Sequence, residues 1–250
     1  MKRSTMIIGT ACVALLLFSG WKLAGLGLDY HKGTETYRSL SESYTTTVQP
    51  SESRAESAGE ENKKTVDFDR LRLANADIAA WLYSPGTAID YPVVQGEDND
   101  FYLRHMYSGE YNQAGTLFLD CRSSLGFADT TNFIYGHNMK NGSMFHSLLE
   151  YRSQEYYEAH PEMYLYTPQG DYRLVLFSAR TVWEDDAVYT ICPAGSALPE
   201  EQLAEWAAAS DFLSQADLSG AGPVLTLSTC TNRNDRERYV VQGCLLPLEE

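Results

Sequence analysis

The chain has 250 residues, and its 34 acidic and 19 basic side chains give a formal charge of −15. Such a surface repels phosphate backbones and argues against nucleic acid as a partner; a solvated acidic exterior accounts for most of the charge. With 44% apolar residues and 17 Tyr, the composition suits one sizeable packed domain with appendages rather than two full cores.

Lys2 and Arg3 precede an uncharged stretch of 18 residues, Ser4 to Trp21, and after Lys22 the apolar character resumes from Leu23 to Leu28. This length can cross a bilayer as a helix, and no small-residue cleavage pattern follows it. Residues 1–28 therefore read as an uncleaved membrane anchor, with the basic N-terminus cytoplasmic and the remainder extracellular. Residues 29–64 are rich in Ser, Thr and Glu (SLSESYTTTVQPSESRAESAGEEN) and read as a flexible extracellular stalk.

The folded domain is expected over residues 65–250. In VDFDRLRLANADIAAWL, the apolar positions Phe68, Leu71 and Leu73, then Ile78, Trp81 and Leu82, suit two short amphipathic helices. Seven strand-like runs follow, separated by Gly, Pro, Asn and Asp turn signals: AIDYPVVQ, AGTLFLDC, TNFIYGH, EMYLYTP, YRLVLFSAR, PVLTLSTC and RYVVQGCLL. Two helical insertions interrupt them, SMFHSLLEYRSQEYYEAH and, before PVLTLSTC, PEEQLAEWAAASDFLSQ. So many short strands predict a mainly β domain, a closed barrel or a sandwich.

The five cysteines show no zinc-type spacing, and no carboxylate cluster demands a metal, so no cofactor is expected. Cys121, Cys192 and Cys244 read as small hydrophobes. Cys230 differs. In PVLTLSTC it ends a strand on the less apolar face, with Thr226 and Ser228, while Leu225, Leu227 and Thr229 face the other way. After TNRNDRE the strand RYVVQGCLL returns, and a hairpin of this kind brings Arg238 across from Cys230. A nearby cation favours the thiolate and can stabilise an oxyanion. Arg233 and Arg236 lie in the loop, where position is poorly fixed.

A thiol nucleophile also needs a proton partner. His137 ends the strand NFIYG, mirroring the strand-end position of Cys230, whereas His31 lies in the stalk and His105, His146 and His160 lie in helical or loop contexts.

The text around these residues resembles a known family. TLSTCTNRNDRERYVV, with Arg eight positions after Cys, resembles the sortase nucleophile segment, and NFIYGHNMKNGSMFHSL resembles the histidine segment of class B sortases. IDYPVVQGEDNDFYLRH, AGTLFLD and the insertion before TLSTC are similar to that class as well, so the resemblance spans roughly residues 66–246. It implies a closed barrel of about eight strands with N-terminal helices. It also implies a cysteine transpeptidase that cuts a C-terminal LPxTG- or NPxTN-like sorting signal after Thr. The surface protein would pass through a thioacyl intermediate on Cys230 to an amine of peptidoglycan or its lipid-linked precursor. His137 would be the general acid and base, and Arg238 would stabilise the oxyanion or align substrate. An ion pair and a neutral pair of Cys230 and His137 are both compatible with the sequence, because their ionisations are coupled.

By the same resemblance Ser228, Asn99, Leu103 and Tyr189 would line the substrate groove. Thr231 departs from relatives that carry an acidic residue after the nucleophile. The acidic residues of WEDDAVYTICPAGSALPEE would favour a basic residue in or near the signal. The alternatives are a pilin-polymerising sortase with a Lys acceptor, a hydrolytic cysteine protease, and a non-catalytic surface β-barrel binding module.

Overall fold

A computed structural model of the chain describes residues 2–47 and 63–248. Helix α1 (Lys2–Tyr44) leads into a short strand pair, β1 (Thr45–Thr47) with β2 (Lys64–Val66). Helix α2 (Phe68–Ala74) follows, its first turn capped by Asp67, whose carboxylate accepts from the Arg70 amide at 3.0 Å. The strands β3 (Ile78–Tyr83), β4 (Asp90–Val94), β5 (Leu117–Leu119), β6 (Thr131–Tyr135), β7 (Glu162–Tyr166), β8 (Tyr172–Trp183), β9 (Val224–Cys230) and β10 (Glu237–Pro247) complete the fold together with helices α3 (Gln154–Ala159) and α4 (Glu200–Ala208). The eight strands β3 to β10 close into a barrel in the order β10-β8-β7-β3-β4-β5-β6-β9. All seven runs expected as strands are strands.

The eighth strand, β3, is where a second helix was expected. Asn75 ends α2: its backbone is extended, and its side chain accepts from the Asp77 amide while donating to the Tyr107 carbonyl at 2.6 Å. The five residues Ile78 to Leu82 are then all buried, between β4 and β7. A strand covered on both faces shows no alternation, so its apolar run resembles a short helical segment.

The expected stalk also differs over its first part. Residues 29–44 continue α1 and dock on the barrel, with Gly33, Tyr37 and Leu40 buried and Tyr30 and Tyr44 partly so. These five positions fall at three- and four-residue intervals, one stripe of a helix. The Tyr37 hydroxyl donates to the Gly115 carbonyl at 2.5 Å, and Asp90 accepts from Ser41 and Lys64. Residues 48–62 of that stalk lie outside the described residues.

Two of the barrel's neighbouring pairs are parallel, β4 with β5 and β6 with β9, and each requires a long crossover. The first crossover is the loop before β5, which holds a 3-10 turn at Phe101–Leu103 and packs beside α1. Gly115 closes this loop at φ +60, where a side chain would strike the Tyr102 and Leu103 carbonyls. Leu225 and Leu227 of β9 point into the main core. The opposite face of β8, β9 and β10 is covered by the insertion between β8 and β9. There Leu203 and Trp206 pack near Phe177, Val224 and Cys244. Val188 and Tyr189 pack with Val182 and Val240.

Candidate active site

The register of two strand pairs assembles the site. In the antiparallel pair β9–β10, Cys230 lies directly opposite Arg238. In the parallel pair β6–β9, Tyr135 is level with Ser228, so the chain two residues beyond each brings His137 to the height of Cys230 on the same face. Side chains pin this junction. Thr229 donates to the Gly136 carbonyl at 2.7 Å, Asn138 donates to the Cys230 carbonyl at 3.0 Å, and Asn232 donates to the Asn138 carbonyl at 3.1 Å. His146 in turn donates from Nδ1 to Asn138 Oδ1 at 2.8 Å. Gly136, just before His137, has no room for a side chain against Leu117 and Phe145.

His137 is held by the long loop. Its Nε2 lies 2.7 Å from the Leu103 carbonyl, which can only accept, so Nε2 carries the proton and Nδ1 keeps its lone pair. Burial pushes the imidazole below its ordinary value; the bond to Leu103 opposes the shift and the Arg104 charge adds to it. The ring is therefore neutral at pH 7, the form that accepts a proton.

A cleft of about 410 Å³ opens around these groups. All seven residues singled out in the sequence line it: Cys230, His137, Arg238, Ser228, Asn99, Leu103 and Tyr189. The Tyr189 hydroxyl bonds Ser228 Oγ at 2.7 Å, and its ring stacks on Tyr135 at 6.4 Å between centroids. Burial raises the Tyr189 phenol to about 12, although Ser228 and Arg238 pull the other way, so it remains a neutral donor. Arg238 donates from Nη1 to the Asp235 carbonyl at 2.6 Å and from Nη2 to Glu184 at 3.3 Å. Arg236 reaches the same Glu184 at 2.8 Å and Asp185 at 3.1 Å. The acidic start of the insertion is thus engaged by the chain's own arginines.

Sequence reasoning did not single out four further lining residues. Arg122, Phe118, Tyr135 and Glu184 also line the cleft. Arg122 donates from Nε and Nη2 to the buried Asp120 at 2.9 and 2.7 Å, and the Tyr135 hydroxyl donates to the same carboxylate at 2.9 Å. The available signal was an Asp-x-Arg at the end of an apolar strand (FLDCR), with Tyr two residues before His137.

The other cysteines take no part in this arrangement. Cys244 is buried, which pushes its thiol up to about 11, and Cys121 and Cys192 are half-buried and unpaired. Among the described residues, no three His, Cys, Asp or Glu side chains gather as metal ligands would. A second hollow of about 480 Å³, between α1 and the barrel, is lined by neither cysteine nor histidine.

Comparison with known proteins agrees with this geometry. Residues 82–246 match the sortase domain. The chain is 33% identical to Sortase B of Listeria monocytogenes over 94% of its own length and 93% of the relative's. It is 27% identical to Sortase B of Staphylococcus aureus, over 92% and 91% respectively. Among solved structures, sortase B from Bacillus anthracis in complex with AAEK1 superposes with a TM-score of 0.70 at 28% identity, covering 88% of this chain and 99% of that one. A Staphylococcus aureus sortase B–substrate complex superposes at 0.67 with 28% identity, covering 73% and 85%. The chain belongs to the sortase family, the cysteine transpeptidases, and within it to class B.

Proposed function

We propose that Cys230 cleaves a C-terminal LPxTG- or NPxTN-like sorting signal after its Thr and passes the surface protein to a peptidoglycan-type amine. The observation that carries this reading is the convergence of His137, Cys230 and Arg238, from the ends of three strands, in one cleft with four further groove residues. The Cys230 sulfur attacks the Thr carbonyl carbon, and its proton passes to His137 Nδ1, the ring nitrogen left free by Leu103. Arg238 and the groove's hydrogen-bond donors stabilise the resulting oxyanion. Collapse breaks the peptide C–N bond as His137 returns the proton to the leaving amine, leaving a thioester on Cys230. The acceptor amine then attacks that thioester, gives its proton to His137 and releases the thiol.

The same reading assigns α1 to the membrane. From Cys12 to Leu28 the helix is exposed on all sides, and it is long and apolar enough to cross a bilayer. Lys2 and Arg3 lie on the cytoplasmic side, with the barrel outside.

The test incubates the soluble domain with fluorogenic peptides spanning both signal types, with and without a peptidoglycan-type amine, beside Cys230→Ala. Cleavage after Thr that vanishes in the variant, with an amine adduct in the mass spectrum, is the expected result. Cleavage surviving in Cys230→Ala would overturn the nucleophile assignment. Cleavage without any amine adduct would make the enzyme a protease.

A further inference from the structure

We propose that the barrel sits directly on the bilayer through the loop between β4 and β5, with Phe101 and Tyr111 at headgroup level; this rests on the reading of α1 as a membrane anchor. The contacts along α1 order the barrel relative to the membrane. Asn112 donates to the Asp29 carbonyl at 3.0 Å, Lys32 pairs with Glu110, and Gly33 packs on Asn112 and Ala114. One turn on, Tyr37 meets Gly115 and Thr116; a further turn on, Ser41 bonds Asp90; and at the end of α1 the Tyr44 carbonyl accepts from Asp67. The segment around 110–112 is thus the end of the barrel nearest the membrane.

No free length of chain separates the two. Leu23 and Leu28 are 68% and 69% exposed, so lipid must reach them, and the barrel contacts begin at Asp29. The stretch from Ser4 to Leu28 is roughly 37 Å long at 1.5 Å per residue. A bilayer including its headgroup regions is about 40–45 Å thick. Asp29 therefore falls at the outer headgroup layer, and the barrel begins there.

What the loop presents at that level is a pair of exposed aromatic rings, with the acidic Glu97, Asp98 and Asp100 just before Phe101. The Phe101 ring stacks on His105 at 4.0 Å, and Tyr111 meets the edge of His105 at 5.9 Å. Phe101 and Tyr111 remain 44% and 57% exposed within the barrel itself. Tyr111, with an apolar body and a polar tip, is of the type that concentrates at the membrane interface, and Phe101 adds an exposed apolar ring beside it. The pairing of Lys32 with Glu110 removes one charge of each sign from this surface. The occupant that fits is the lipid headgroup layer.

The consequence reaches the chemistry. Leu103, whose carbonyl holds His137, lies between Phe101 and His105, and Asn99 and Leu103 line the cleft. The membrane-contacting loop and the His137 wall are one piece of chain, so the cleft opens beside the bilayer, where a lipid-borne amine is presented.

The test uses the full chain in vesicles of phosphatidylcholine and phosphatidylglycerol, carrying the photo-crosslinker p-benzoylphenylalanine at Leu16, at Tyr111 or at the exposed Leu213. Lipid adducts are read by mass spectrometry after irradiation. Adducts at Leu16 and Tyr111, with none above background at Leu213, are expected. Adducts at Leu16 but not at Tyr111, or equal adducts at Tyr111 and Leu213, would overturn the proposed surface while leaving the anchor intact. No adduct at Leu16 would remove the anchor and the surface together.

Discussion

Two arginines flank the cleft, each tied to a carboxylate, and the ties differ in kind. Arg122, beyond β5, grips Asp120 with two guanidinium nitrogens, and that carboxylate is fully buried and also bonded by Tyr135. Arg238, at the start of β10, touches Glu184 with one nitrogen at 3.3 Å, and Glu184 is 41% exposed and shared with Arg236. Breaking the Arg122 contact strands the buried Asp120 carboxylate, although the guanidinium itself is 59% exposed, so this tie resists rearrangement from the carboxylate side. A solvated pair exchanges its partners at little cost. The Arg122 wall is therefore a fixed template that gives the groove its shape, and the Arg238 wall can adjust as charge develops on the substrate.

The largest effects test whether the chemistry lies on the adjustable side. Cys230→Ala is expected to abolish amine transfer, a loss of at least roughly a thousandfold, with the fold intact by circular dichroism. Arg238→Ala should lower kcat/KM by about a hundredfold. Arg238→Lys should restore only part of it, because a point charge cannot reproduce the planar fork. If Arg122→Ala proved as damaging to kcat as Arg238→Ala, the division of labour between the walls would be wrong.

His137 supplies a pH signature on the same side. Its folded pKa lies below the ordinary value of 6.5, so protonation, which would remove the proposed base, occurs only as pH falls beneath that value. The acid limb of kcat/KM should therefore have its midpoint below pH 6.5. Arg104→Ala removes a charge that contributes to the depression and should move that limb toward higher pH.

Much of this was legible in the sequence, and the gaps share a cause. Cys230 and Arg238 could be paired because alternation and a seven-residue loop define a hairpin. His137 stood out because it ends an apolar strand as Cys230 does, and the parallel pairing of β6 with β9 brings the two ends level. What alternation reports is one buried face, so β3, buried on both, was misread. The docked half of α1 was hidden by composition: Ser, Thr and Glu dominate, while the stripe Tyr30, Gly33, Tyr37, Leu40 and Tyr44 carries the packing. The carbonyl of Leu103 that sets the His137 tautomer lies 34 residues away and is backbone, which no side-chain pattern announces. Glu184 meets Arg236 and Arg238 across more than 50 residues of sequence, whereas the Asp120–Arg122 pair is local and its Asp-x-Arg spacing was there to be read.

On the fixed wall, Asp120→Asn should cost stability more than chemistry. Burial raises the Asp120 pKa, but the bonds from Arg122, with help from Tyr135 and Asn99, outweigh it and bring it down to about 2 from 3.8. A depressed carboxyl pKa stabilises the fold above pH 3.8, and that contribution is lost as pH falls toward 2. The contribution is about 2 kcal/mol at pH 7, and its loss should lower Tm by roughly 4–8 °C. The difference in Tm between the parent and the variant should narrow in acid. An unchanged Tm at pH 7 would show that the wall is not held by this carboxylate.

The smallest effect is the sharpest test of the contrast. Glu184→Gln keeps the size of the side chain and removes the charge shared by Arg236 and Arg238. An exposed pair contributes about 0.2–1 kcal/mol, so kcat/KM should fall by at most about fivefold and Tm should move less than in Asp120→Asn. Because the tie is solvated, raising ionic strength should weaken it in the parent enzyme and shrink the difference from the variant. The Asp120–Arg122 pair, whose carboxylate is buried, should respond less to the same salt. If Glu184→Gln lowered Tm as far as Asp120→Asn, or if its kinetic effect ignored salt, Arg238 would be as rigidly held as Arg122, and an adjustable wall would have no basis.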